Sequence, residues 1–128
     1  MKIIFIKSEN CIRDGYTFIK KGEKANYFMY NLIDKDKDKN IYPRKVKALG
    51  LFVGAEWKID VTTKNKSQQF NKNKGCRIFV ALQNSRRENI LTTVHELLHW
   101  VIYLLYKRLK VNRKITSKLH DIIDKRLK

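Results

Sequence analysis

The sequence is short of the residues that build a disulfide scaffold or a zinc ribbon. Among 128 residues there are only two cysteines, Cys11 and Cys76, and no CxxC pair. A zinc ribbon is therefore excluded, because it takes its ligands from closely spaced cysteines. One disulfide is compatible with this count, but nothing in the sequence favours secretion. We therefore expect two free thiols in a reducing compartment.

Long apolar runs are also missing. The N-terminus, MKIIFIKSEN, has four consecutive apolar residues and no small-residue cleavage site, so it does not fit a signal peptide. A transmembrane helix needs about 20 mostly apolar residues. The best candidate, 90–106, is interrupted by His95, Glu96 and His99. We expect a cytoplasmic protein that does not enter the membrane.

Acidic residues are scarce relative to basic ones. The chain has 12 Asp and Glu against 29 Lys and Arg, which gives a formal net charge of +17. Such an excess attracts polyanions, so DNA or another polyanion is a candidate partner. AT-rich coding DNA also yields sequences rich in Lys, Asn and Ile, and the basic residues are spread along the chain. Both explanations of the charge stay open.

The length and a hydrophobic content of 43% are typical of a single domain spanning 1–128, with enough apolar residues for a core. The first half predicts strands, turns and loops. The strands are expected over 2–7, 16–21, 44–54, 56–63 and 76–83, with a turn at Asp14–Gly15, a solvated charge run over 34–40 and a loop over 64–75.

Two details of this half are more specific. The segment 44–54 is expected to pair with 56–63 through a turn near Gly54. In 25–33, Phe28, Leu32 and their apolar neighbours recur at helical spacing, although the aromatic residues also suit a strand. We favour a short helix there.

Beyond Gln83 the hydrophobic period changes to that of helices. Ser85 and Glu88 have the spacing of a capping box, and the apolar arc that follows predicts one long helix ending near Lys110. After a connector around 111–113, a second helix carries the stripe Ile115, Leu119, Ile122, Ile123 and Leu127. The predicted fold class is α+β: a small N-terminal, mostly antiparallel sheet with a C-terminal pair of antiparallel helices.

The first of these helices contains HELLH, residues 95–99, which is an HExxH motif. At about 3.6 residues per turn, His95 and His99 project from the same face and can reach one zinc ion. Glu96 is rotated by about 100° from His95, so it suits a general base acting on a bound water better than a third ligand. The motif predicts a Zn²⁺ site with Glu96 as the catalytic residue.

The surroundings of the motif place it at the border of the apolar arc. The arc is centred opposite Glu96, and Tyr103 and Tyr106 project on the side of the two histidines. We therefore expect a pocket at the edge of a core, with Tyr103 and Tyr106 as candidate oxyanion stabilisers.

A catalytic zinc ion normally has three protein ligands. His99 to Lys110 spans eleven residues, about 16 Å of helix, and the same length beyond Arg113 reaches Asp124. His120 lies one turn earlier, so antiparallel packing brings either side chain within reach, and spacing cannot choose between them. We favour His120 as the third ligand, with Asp124 supporting a ligand histidine or replacing His120 as the ligand.

The segment from the strand at 76 to Asp124 resembles the zincin metallopeptidases. In that family the strand before the HExxH helix often aligns the substrate peptide, which implies such a role for RIFVALQ, 77–83. HDIID, 120–124, resembles a minimal gluzincin pattern in which a histidine replaces the glutamate ligand. A histidine as third ligand is also similar to the SprT-like proteins, small cytoplasmic zincins that process DNA-bound proteins.

The resemblance and the motif together imply a zinc-dependent metallopeptidase acting on a protein or peptide. The alternative is a small basic nucleic-acid-binding protein in which HELLH is structural or binds zinc without catalysis. Its contact surface would be 107–128, which carries nine Lys or Arg against two Asp.

Overall fold

The structure is a computed structural model, and it describes residues 1–13, 26–34, 36, 45–64, 67–69, 75–110 and 112–126. The strand expected over 16–21 and the turn at Asp14–Gly15 lie outside these residues. So does most of the charge run over 34–40, of which Asp34 and Asp36 are described.

Eight strands and two α-helices follow one another along the described chain, with one 3₁₀ turn at Ser8–Asn10. In order they are β1 (Lys2–Ile6), β2 (Ile12–Arg13), β3 (Asn26–Asp34), β4 (Val46–Ala48), β5 (Gly50–Val53), β6 (Trp57–Thr62), β7 (Ser67–Gln69), β8 (Arg77–Ala81), α1 (Arg86–Lys107) and α2 (Arg113–Arg126).

The described strands form two sheets. One has three strands in the order β1-β8-β5, with β1 parallel and β5 antiparallel to β8. The other has five antiparallel strands: β2, β3, β6 and β7 in that order, with β4 also paired to β3. Every residue of β8 is buried, as expected for a central strand covered on both faces.

A single hydrophobic cluster joins the two sheets. It draws buried side chains from β1, β3, β5, β6 and β8, among them Ile6, Phe28, Val53, Ile59 and Phe79. Cys11 belongs to the same cluster, and both Cys11 and Cys76 are free thiols, as expected. The three-stranded sheet is thus fixed against the larger one, which gives α1 a rigid support.

The prediction of a short helix over 25–33 is wrong. These residues form most of β3, which pairs with β6 along one edge and with β2 and β4 along the other. Burial alternates at its start, with Asn26, Phe28 and Tyr30 buried and the residues between them half-buried. The period of two, together with pairing on both edges, overrides the helical spacing that the same residues also show.

The predicted pairing of 44–54 with 56–63 is also wrong, although both segments contain strands. The first segment breaks at Leu49 into β4, which pairs with β3, and β5, which pairs with β8. After β5, a tight turn closed by the Trp57 N–H to the Gly54 carbonyl leads into β6, which joins the other sheet. The chain thus crosses between sheets at two points where a simple hairpin was the expectation. The loop expected over 64–75 contains β7, which pairs with β6.

The two helices are confirmed, and with them the α+β class. Ser85 accepts a hydrogen bond from the Glu88 amide at the start of α1, and the helix ends at Lys107, three residues before the predicted end. Lys110 then adopts a left-handed backbone with φ of 52°, which reverses the chain toward α2. α2 packs back along α1. Neither described helix is long and apolar enough to cross a membrane.

The apolar arc of α1 is only partly covered. Six of its members are half-buried: Leu91, Leu97, Leu98, Ile102, Leu104 and Leu105. Ile90, Val94 and Val101 are 54%, 40% and 44% exposed within the described structure, whereas Glu96 is the buried residue of this helix. The predicted stripe of α2 is also partly exposed: Ile115 and Ile122 are exposed, and Leu119 and Ile123 are half-buried. Both helices therefore turn polar side chains toward their mutual contact.

Candidate metal centre

The close approach of α1 to β5 depends on a glycine. A Cβ atom at Gly50 would lie 2.6 Å from Thr92 Cγ2 and 3.1 Å from Glu96 Cγ. A contact of 2.6 Å is shorter than non-bonded carbon atoms tolerate, so another residue at this position would force the helix or the strand to shift. Gly50 thereby lets the HExxH helix lie directly against the backbone of β5.

Three side chains converge between α1 and the far end of α2. His95 Nε2 and His99 Nε2 lie 2.9 Å apart. Asp124 Oδ1 lies 3.2 Å from the first and 3.1 Å from the second. The three atoms therefore form a nearly equilateral triangle, and this is the group of residues in the described structure that is arranged to hold a metal ion.

The dimensions of this triangle fit three ligands of one divalent ion. At ligand distances of about 2.0–2.1 Å, neighbouring ligand atoms lie about 3.3 Å apart in tetrahedral and about 2.9 Å apart in octahedral coordination. The observed separations of 2.9–3.2 Å lie between these two values. Two imidazole nitrogens and one carboxylate oxygen are also a donor set that zinc accepts.

Asp124 reaches the histidines because α2 runs back along α1, as the helical rise predicts. His120, one turn earlier on the same helix, lies outside the triangle. Its Nδ1 is 3.1 Å from Asp124 Oδ2, and its ring centroid is 4.4 Å from that of His99. The structure thus brings both candidates to the site. The geometry favours Asp124 as the third ligand, which reverses the order of preference drawn from the sequence.

Burial lowers the pKa of the His99 imidazole and so favours its neutral form. Its side chain is 14% exposed, and burial is the largest cause that lowers its pKa, followed by the neighbouring imidazoles of His120 and His95. The carboxylate of Asp124 acts in the opposite direction. A neutral imidazole is the form that binds a metal ion, because the ligand nitrogen must be free of its proton.

Glu96 lies beside the triangle without belonging to it. Its Oε1 is 4.0 Å from His95 Nε2, and the residue is 7% exposed. Burial, and to a lesser extent the charge of Asp124, raises its pKa to about 7, while the backbone N–H of Phe52 donates to the carboxylate and acts against the rise. A carboxyl group with a pKa near neutrality can both take up and release a proton at physiological pH.

A cavity of about 600 Å³ opens from Glu96, His99 and Asp124 along the space between the two helices and β5. Its outer part is lined by Phe52, Ile102, Tyr103, Tyr106, Arg113 and Thr116. The volume lies within the range of small-molecule and peptide side-chain sites. The candidate metal centre is therefore accessible rather than sealed, unlike a purely structural zinc site.

One wall of the cavity is the edge of β5. The Ala81 N–H donates to the Leu49 carbonyl at 2.7 Å, so alternate residues beginning with Leu49 turn their backbone groups toward β8. Gly50 and Phe52 therefore turn their backbone N–H and carbonyl groups to the other edge of β5. There the Phe52 N–H donates to the Glu96 carboxylate. Among the described strands, β5 has only β8 as a partner, so this edge is available beside the site.

The role of substrate-aligning edge expected for 77–83 does not fit the structure. β8 is paired along both edges, to β1 through the register Lys2–Arg77 to Ile6–Ala81 and to β5 through Gly50–Val80 to Val53–Arg77. A strand with both ladders occupied cannot add a third partner. The edge next to the HExxH helix belongs to β5.

Both tyrosines proposed as oxyanion stabilisers line the cavity. The Tyr103 hydroxyl donates to Glu56 Oε2 at 2.8 Å, and burial together with this carboxylate raises the pKa of Tyr103. Lys107 Nζ lies 3.7 Å from the other oxygen of Glu56. Tyr103 therefore ties α1 to the turn after β5, and Tyr106 is the more exposed of the two at 40%. Their action on an oxyanion stays a prediction.

The sequence did not point to Gly50, Phe52 or Glu56 as parts of this region. For Gly50 a signal was present, because a glycine inside a strand-like segment often marks a close backbone approach. Phe52 contributes a backbone N–H, which any residue would supply. The contact of Glu56 with Tyr103 joins residues 47 positions apart, and such pairs leave no local pattern.

No protein-family model, curated protein or solved structure matches this chain. The functional interpretation therefore depends on the geometry of the residues themselves.

Proposed function

We propose that this protein is a zinc-dependent metallopeptidase. The observation that carries the proposal is the placement of a buried carboxylate, Glu96, beside a triangle of two imidazoles and one carboxylate at the mouth of a cavity. A structural zinc site normally takes four protein ligands and needs no buried acid beside them. A hydrolytic site needs three ligands, an open position and a neighbouring acid, because the acid accepts the proton of the attacking water.

The residues divide the chemistry as follows. His95, His99 and Asp124 would hold the ion, which when bound acidifies water and polarises a carbonyl group. Glu96 would accept a proton from water and return it to the leaving amine. Its pKa of about 7 belongs to the metal-free protein, and a bound cation would lower it. The Phe52 N–H holds the Glu96 carboxylate against β5.

The available edge of β5 supports a peptide as the substrate. An extended peptide can add to this edge as a further strand, through the backbone groups of Gly50 and the carbonyl of Phe52. Its carbonyl groups would then pass along the cavity within reach of Glu96 and the triangle. Backbone recognition of this kind selects an extended conformation, and the cavity beyond it selects side chains.

The resemblance to zincins belongs to the same proposal. The HExxH helix packed against a strand edge supports it, and so does a further ligand from the following helix. The departure lies in that ligand. Asp124 takes the ligand role that a glutamate has in gluzincins and a histidine has in SprT-like proteins.

Metal analysis and one substitution test the proposal together. Purified wild-type protein should contain about one zinc per chain and hydrolyse a quenched fluorescent peptide library. Glu96→Gln should retain zinc but lose about 10²–10⁴-fold in activity, since the amide cannot accept the proton. Glu88→Gln, an exposed position on the same helix, is the matched control and should change neither. Zinc lost with activity preserved would contradict the assigned roles.

A second candidate function is binding to a polyanion. Arg113, Lys114, Lys118 and Lys125 of α2 are all exposed, whereas Asp124 turns inward to the site. This surface supports electrostatic binding of DNA. Binding that weakens steeply with salt and persists in a chelator, without peptide hydrolysis by the zinc-loaded protein, would favour this function over the first.

A further inference from the structure

The two oxygens of Asp124 have different partners. Oδ1 lies 3.1–3.2 Å from the Nε2 atoms of His95 and His99. Oδ2 lies 3.1 Å from Nδ1 of His120, one helical turn earlier on α2. An ionised carboxylate can only accept, so this close contact is favourable when Nδ1 of His120 carries a proton. One oxygen of Asp124 faces the metal position and the other is held away from it.

We propose that His120 is a positioning residue, which makes Asp124 a one-oxygen ligand and keeps a coordination position open beside Glu96. This inference rests on the metal site of the proposed function. A carboxylate with both oxygens free can rotate and bind an ion through both of them. The contact with His120 opposes that rotation, because turning Oδ2 toward the ion would separate it from the imidazole.

The surroundings of His120 suit this role better than direct ligation. Its side chain is 51% exposed, against 17% for His95 and 14% for His99. The ring packs against His99 at an interplanar angle of 56°, which fixes its orientation. Asp124 is thus the ligand and His120 its support, the reverse of the roles favoured from the sequence.

Two substitutions in the full-length protein separate the support from a ligand. In His120→Asn the side-chain amide places a donor near the position of Nδ1, so the contact with Asp124 Oδ2 can persist. In His120→Phe a ring of similar size remains without any donor. We expect zinc affinity, measured by competition with a chromophoric chelator, to fall about 10–100-fold in His120→Phe and to stay near the wild-type value in His120→Asn.

The visible spectrum of the Co²⁺-loaded protein gives a second readout, because its intensity falls as coordination number rises. Wild type and His120→Asn should share the intense spectrum of four-coordinate cobalt, and His120→Phe should show the weaker one of higher coordination. Melting of each protein in a chelator confirms folding, and His120→Leu replaces His120→Phe if the latter does not fold.

Two results would overturn the inference. If His120→Asn loses zinc as completely as His99→Ala, His120 is a direct ligand. If His120→Phe keeps wild-type affinity and spectrum, His120 has no part in the site. Both readouts are independent of peptide hydrolysis. A protein that shows the expected metal pattern but cleaves no peptide would therefore sink the proposed function and leave the role of His120 standing.

Discussion

The two faces of α1 depart from the usual pattern, in which aliphatic side chains are buried and ionisable ones are exposed. Toward β5 and α2 the helix buries ionisable groups, with Glu96 7% exposed and the His99 side chain 14% exposed. On the opposite side, Ile90, Val94 and Val101 are 40–54% exposed in the described structure. Burial of aliphatic side chains stabilises a fold, whereas burial of a carboxylate beside another one costs free energy.

This reversal points to a functional constraint on the covered face of the helix. Sites that depart from the rules of stability are typically the functional ones, since the arrangement is retained in spite of its cost. A divalent ion held by His95, His99 and Asp124 would offset the cost directly, because it would neutralise the converging negative charge. The covered face is therefore the one to which the proposed function assigns binding and chemistry.

The largest expected effect is the loss of folding stability when the buried Glu96 ionises in the metal-free protein. Its pKa is raised by burial from 4.5 to about 7 in the folded state. Because the folded state holds this proton more tightly than the unfolded state, the associated stability is complete below pH 4.5 and is lost as pH rises through 7. Across that window we expect the free energy of unfolding of wild type to fall by about 3 kcal/mol relative to Glu96→Gln.

Urea denaturation in a chelator, at intervals between about pH 4.5 and 8, measures this difference. The two proteins differ only at residue 96, so the change in their difference with pH reports on Glu96. If the difference in the free energy of unfolding between wild type and Glu96→Gln stays constant across this pH range, Glu96 is not buried as described. The contrast between the two faces of α1 would then fail.

The next effect concerns the glycine under the covered face. Gly50→Ala places a Cβ atom 2.6 Å from Thr92 Cγ2, a branched side chain with little freedom to move. We expect a loss of about 1–3 kcal/mol in the free energy of unfolding, as is usual for an overpacked contact. Gly75→Ala is the matched control, because no atom lies within 4 Å of its added Cβ. Equal stability of the two variants would mean that α1 does not approach β5 this closely.

The parts of this structure that could be predicted from the sequence are those set by neighbours along the chain. The spacing of HELLH placed His95 and His99 on one face, and the rise per residue placed Asp124 level with His99 after the chain reverses. Those quantities depend on helix geometry alone. The Ser85 cap is local in the same sense, and it is confirmed.

The errors arose where residues distant in sequence decide the outcome. β3 has apolar residues at both helical and alternating spacing, and its pairing with β6, about 30 residues later, selects the strand. The choice of Asp124 over His120 depends on rotamers at a helix–helix contact, which spacing does not encode. The apolar arc of α1 is expected in the core because apolar residues are usually buried, a rule that this helix follows only in part, since Ile90, Val94 and Val101 are exposed.

The smallest expected effect lies on the exposed face. Val101→Lys replaces a side chain that is 44% exposed, and lysine favours a helix slightly more than valine does. We expect the free energy of unfolding to change by less than about 0.5 kcal/mol, with zinc affinity unchanged. Its sequence neighbour supplies the control: Ile102 is half-buried and lines the cavity, so Ile102→Lys should be clearly destabilising. Thermal melts of both variants give the comparison. A Val101→Lys protein that is as unstable as Ile102→Lys would show that this face is covered, and the reversal of burial along α1 would no longer identify the functional side of the helix.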